Sequence, residues 1–240
     1  METNKTNTLT LRERLAAVMT SPFTVITATS VIFTLSVITS NYGTILGFVI
    51  ALFTLWAIKW KWSYFGFQRN PFFKTLGKAV IYTGIIILVN DFLFQPVIEL
   101  YYGSTDLSSF EGIKGNVANY VIFILIMWVV AAFGEEFLFR GYMIKRLAII
   151  FGESKKAWFA AIIVSSVVFG FAHTYQGVSG IVSTFFVALI FGFILYKNPK
   201  NLWAGVLTHG IYDMFGIAMI FLDKERVITN WVLENLLTFL

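Results

Sequence analysis

No cysteine occurs in the 240 residues, which removes disulfides, thiolate metal sites and a cysteine nucleophile together. Charge is scarce as well: Asp, Glu, Lys and Arg make up 13% of the chain, against 58% hydrophobic residues, and mean hydropathy is +0.77. No charged residue lies between Arg14 and Lys59, more than twice the roughly 20 residues a helix needs to cross a bilayer. A secretory signal has an apolar core of only about 7–15 residues, so this N-terminal region reads as retained spans. There is no polar stretch long enough for a second domain, no internal repeat and no low-complexity tract. The net charge of +5 is spread over several loops without a nucleic-acid signature, so it is explained by membrane topology. Histidine occurs only twice.

What is present reads as an all-α, polytopic bundle of seven or eight transmembrane helices, a single membrane domain over residues 1–240. A turn at Ser40-Asn41-Tyr42-Gly43 divides the first uncharged run into spans near 22–40 and 43–58. Lys59-Trp60-Lys61-Trp62 marks an interface, and no acid occurs from Lys59 to Lys78. A third span covers about 79–98 and completes an N-terminal region, 1–98; it carries Asn90 and Asp91, read as packing or cavity polar groups. The loop 99–116 is acidic. Further helices are expected over 117–150, 157–173, 181–196 and 202–221. The tail 221–240 holds either a short last span or an interfacial helix. Fifteen of the 18 Lys and Arg fall on the side shared by the N-terminal tail and the loops at 59–78, 140–156 and 197–200. That asymmetry predicts a cytoplasmic N-terminus; the compact form suggests a bacterial cytoplasmic membrane.

Three polar clusters interrupt the apolar sequence. Glu135-Glu136-Phe137-Leu138-Phe139-Arg140 ends the uncharged run Gly115–Gly134, while Phe169 precedes His173 by four residues and His209 precedes Asp213 by four. Ionisable groups at membrane depth are costly and mark function by default. With a turn centred near Ser154, Glu135 and His173 are equally far from it along antiparallel helices, so they should share one depth. His209 and Asp213 share a helix face, and Arg140 can pair with Glu136 along another, leaving Glu135 as the freer carboxylate. Such a carboxylate can serve as general base. Histidine can pass a proton, donate to an oxyanion or bind metal. Phe169 would pack the wall. Tyr175 and Gln176 read as loop residues, with lining of a substrate entry as the alternative.

In order, Glu135-Glu136-x-x-x-Arg140, Phe169-x-x-x-His173 and His209-x-x-x-Asp213 resemble the motifs of the CPBP (Abi) family, which groups CAAX prenyl endopeptidases with bacteriocin-processing and immunity proteins. The flanking Phe139-Arg140-Gly141-Tyr142 and Asn201-Leu202-Trp203-Ala204-Gly205 look similar too, and the likeness covers roughly residues 115–220, a catalytic core. It implies a glutamate-dependent intramembrane endopeptidase. Glu135 would activate water beside His173. His209 and Asp213 would support the oxyanion, or Glu135, His173 and His209 would hold a divalent metal such as zinc, with no organic cofactor. One branch of the family has Asn where this chain has Asp213; an ionised Asp cannot donate to an oxyanion, which leans toward the metal version. Yet there is no His-Glu-x-x-His zinc signature.

Each cluster taken alone has a plainer explanation: a solvated helix end, a basic interfacial belt, a packed histidine. The three together do not. The implied substrate is a membrane-anchored or lipophilic peptide, with the bilayer as surroundings and no nucleic acid. Two other classes are consistent with buried Glu, Asp and His: a proton-coupled transporter, and a non-proteolytic immunity or regulatory protein that binds a partner.

Overall fold

The computed structural model describes residues 9–39 and 41–238. It is helical throughout, as expected of a chain whose backbone polar groups must be satisfied without water, and no strand occurs among the described residues. The helices are α1 Leu11–Met19, α2 Pro22–Thr39 and α3 Asn41–Ala57, then a long α4, Phe72–Tyr102, and a longer α5, Val117–Ile150. They continue as α6 Lys155–Phe171, α7 Gly177–Lys197, α8 Leu202–Phe221 and α9 Val227–Asn235. Asn41-Tyr42-Gly43 of the expected turn is helical, the start of α3; Ser40 lies outside the described residues, as do residues 1–8 of the N-terminal tail and the last two of the chain.

Five helices are long and apolar enough to cross a membrane: α2, α4, α5, α7 with its short lead-in, and α8. The protein is an integral membrane protein. The two other expected spans are α3 and α6, each 17 residues, so seven or eight crossings are not established by helix length. The tail helix α9 has nine residues and rises only about 14 Å, short of the ~30 Å hydrocarbon core. The short α1, opened by a capping box at Thr10 and Glu13, was not anticipated. Its Arg12 donates to the Trp56 carbonyl at the end of α3.

The centre of the molecule is α5. Glu136 through Ile144 are buried without interruption, the mark of a helix surrounded on every side. Phe65 and Phe137 meet at 4.5 Å in its core. Its middle, Trp128–Ile144, is wound in wide π turns, as is Ile87–Phe94 within α4; such turns are uncommon and gather at functional sites.

The α5–α6 hairpin has the register expected from its turn. Ser154 caps α6 by accepting from the Ala157 N–H. Ser165 donates to the Phe139 carbonyl at 3.2 Å, and the Phe139 and Phe169 rings meet edge to face at 4.9 Å. α6 and α7 then approach closely: a Cβ at Gly170 would stand 2.8 Å from the Ile181 carbonyl, and one at Gly192 would stand 2.6 Å from Ile162. The loop after α3 bends back through Gly66, whose φ of 101° suits glycine. Its carbonyl then accepts from the Leu202 N–H at 3.0 Å, satisfying one of the orphan donors at the start of α8 and fixing the helix that carries His209.

Candidate active site

α5, α6 and α8 bring the three clusters together. Glu136 is fully buried and its Oε1 lies 3.2 Å from Nη1 of Arg140, one turn along the same helix. No N–H of that guanidinium is aligned for a hydrogen bond. The plate is held between two rings instead, 4.6 Å from the Phe169 centroid and 4.9 Å from that of Phe191, an arrangement strengthened by desolvation. The second Glu136 oxygen lies against α8, where a Cβ at residue 205 would come within 2.5 Å of it. Only glycine at 205 allows the carboxylate there.

His209 joins the carboxylates. Its Nδ1 is 3.3 Å from Glu136 Oε1, and its Nε2 faces Asp213 Oδ2 at 3.4 Å and Glu135 Oε2 at 3.8 Å. The ring packs on Phe191 at 4.8 Å. Of the two glutamates, Glu135 lines a cavity of about 800 Å³ that Glu136 and Arg140 do not reach. His173, His209 and Asp213 share that cavity.

His173 was expected at the end of α6 and sits just past it, in the turn leading to Thr174–Gln176. Its Nδ1 is 2.8 Å from the Phe169 carbonyl. A carbonyl can only accept, so Nδ1 carries the hydrogen, and in the neutral ring Nε2 keeps its lone pair. The ring also packs on Phe169 and Tyr175. No hydrogen bond joins His173 to Glu135; both line the cavity.

Among the described residues no three His, Asp or Glu side chains form a group that could hold an ion. His173 turns Nδ1 onto a carbonyl, and both nitrogens of His209 face carboxylates. No step is routed through a metal below.

Three contributors escaped the sequence. Phe191 braces both Arg140 and His209 but comes from α7, where no local pattern signals it. Gly205 stands one turn before His209 on the same face, a spacing that could have exposed it. Tyr212 lies inside the third motif and hydrogen-bonds Asp91 and Asn90 of α4. Tyr175 and Gln176, read as loop residues, line the cavity.

The family model for type II CAAX prenyl endopeptidase, Rce1-like, matches residues 117–215. That segment holds every residue of the three clusters. The segment is similar to type II CAAX prenyl endopeptidases of the Rce1-like kind. Neither a curated protein nor a solved structure matches the chain. Within the Rce1-like segment, α5, α6 and α8 supply the ionisable groups and α7 supplies the bracing ring. α4, outside it, closes the cavity.

Proposed function

We propose that this protein is an intramembrane endopeptidase that hydrolyses a peptide bond in a membrane-anchored or lipophilic peptide. The observation that carries this is the position of His209, set between Glu136 and Glu135 of α5 and its own Asp213, in the wall of a cavity that also holds His173. The similarity of the central segment to the type II CAAX prenyl endopeptidase family model supports an endopeptidase.

Glu135 is the general base, because it is the α5 carboxylate that faces the cavity rather than the guanidinium. It takes a proton from water as the water oxygen bonds to the peptide carbonyl carbon. The carbonyl oxygen becomes an oxyanion, and the nearest donor for it is the Nε2–H of His209. Asp213, as an ionised acceptor, cannot donate; it holds that N–H toward the cavity. Collapse of the tetrahedral species breaks the C–N bond, and the proton on Glu135 passes to the departing amine. His173, with Nε2 open, accepts a hydrogen bond from the attacking water and orients it. Arg140 acts through Glu136, which fixes Nδ1 of His209.

Purified protein in detergent, offered a quenched fluorescent peptide library, is expected to cleave it. Glu135→Gln should lower kcat/KM by about 10²–10⁴-fold, the range for loss of a general base, and His173→Ala should also lose most activity. Undiminished cleavage by both variants would reject the assignment.

A further inference from the structure

Opposite the Glu135 cluster, α4 carries a second polar group into the cavity at its own stretch of wide turns, Ile87–Phe94. Asp91 Oδ1 accepts from the Tyr212 hydroxyl at 2.7 Å and from Asn90 Nδ2 at 2.9 Å. Asn90 Nδ2 also reaches the Tyr212 oxygen at 3.2 Å, and its Oδ1 accepts from Ser183 at 3.3 Å. Asn90 and Ser183 are buried, and all four residues border the cavity. Three helices are therefore committed to holding one carboxylate in place.

That carboxylate has no cation. Among the described residues, no Lys, Arg or His forms an ion pair with Asp91. Of the lysines and arginines bordering the cavity, Lys114 is taken by Asp223 and Glu225 at 2.7 Å each and Arg226 by Glu99 at 2.9 Å, while Lys224 forms no ion pair among the described residues, with Asp91 or otherwise. Asp91 Oδ2 receives no hydrogen bond among the described residues. A carboxylate at membrane depth is expensive unless paired, and this one is oriented by donors on one oxygen only. Its missing partner must arrive with what fills the cavity. Tyr212 adjoins Asp213 in the chain, so the partner would sit beside the groups that act on the peptide bond.

Resting on the endopeptidase reading, we propose that Asn90, Asp91, Tyr212 and Ser183 form a substrate subsite for a cationic side chain, a lysine or arginine of the bound peptide close to the scissile bond. The lipophilic part of the substrate then anchors it in the membrane, and the buried ion pair selects which peptide is cut. A charge-assisted hydrogen bond made in a desolvated site discriminates strongly against a neutral isostere.

The test uses quenched peptides that differ only at one position near the cleaved bond, carrying lysine, norleucine or glutamate, with that position walked along the peptide. At one position, wild type should prefer lysine over norleucine by about tenfold or more in kcat/KM, with glutamate poorest. In Asp91→Asn the lysine-to-norleucine ratio should fall to near one. Tyr212→Phe, which keeps the carboxylate, should retain the preference. Equal rates for lysine and norleucine at every position in wild type would overturn the subsite, as would a preference that survives Asp91→Asn. If wild type cuts none of the peptides, the endopeptidase reading fails by itself. Fluorescence anisotropy of the same peptides on Glu135→Gln protein then decides the subsite, lysine binding tighter if it exists and no tighter if it does not.

Discussion

Arg140 is the residue on which the buried charges depend. It is the cation that holds Glu136, it is 1% exposed, and its other contacts are ring faces. Removing one partner of a buried ion pair leaves the other uncompensated, at a cost of about 3–5 kcal/mol. Arg140→Ala should therefore lower the thermal midpoint in detergent clearly, and Arg140→Lys should not restore it, since an ammonium cannot lie flat between Phe169 and Phe191. A Lys variant as stable as wild type would show that the sandwich contributes little. Gly205→Ala tests the same contact from α8. With a Cβ 2.5 Å from Glu136 Oε2, overpacking of about 1–3 kcal/mol is expected. Because Glu136 fixes His209, kcat should fall more than KM rises; an unchanged kcat would remove Glu136 from the positioning role.

At the scale of elements, the segment between α8 and α9 lines one end of the cavity, and ion pairs fasten it. Asp223 adopts a left-handed backbone, φ 56°, where α8 turns into this segment. Lys114 meets Asp223 and Glu225, and their hydrogen bonds and charges raise its pKa well above the usual lysine value. A raised lysine pKa means a stabilising contribution that is complete below the unfolded value and lost as pH rises through the folded one. The fastening is thus insensitive to Lys114 titration across neutral pH. Salt should loosen it, because its charges are partly exposed and the Debye length falls to about 3 Å at 1 M. Hydrogen exchange over residues 222–229 should quicken in high salt and in Lys114→Ala. Exchange that ignores both would mean the segment is held by apolar packing alone.

For the whole molecule, helices, their order and the convergence of three motifs were legible in the sequence, because apolar length and i, i+4 spacing are local properties. The hairpin register behind the expected depth match of Glu135 and His173 was legible too, since antiparallel helices rise equally, and Phe139 against Phe169 agrees with it. The wide turns in α4 and α5 were not, because they leave no trace in hydropathy. Neither was Phe191, whose role exists only after α7 packs beside α5 and α8. Asp91 was visible as a polar residue in an apolar span, but its partner Tyr212 is 121 positions away. The asymmetry of Lys and Arg predicts that the end of the cavity lined by the α8–α9 segment lies outside the cytoplasm. A phosphatase reporter fused at the C-terminus should then be active, and a dark one would invert the topology.

The most direct test of the central claim is hydrolysis by purified wild-type and Glu135→Gln protein in heavy-oxygen water, with products read by mass spectrometry. The account predicts one labelled oxygen in the new carboxyl terminus for wild type and, for the variant, a rate lower by about two orders of magnitude or more. A Glu135→Gln enzyme that forms the labelled product at close to the wild-type rate would contradict it.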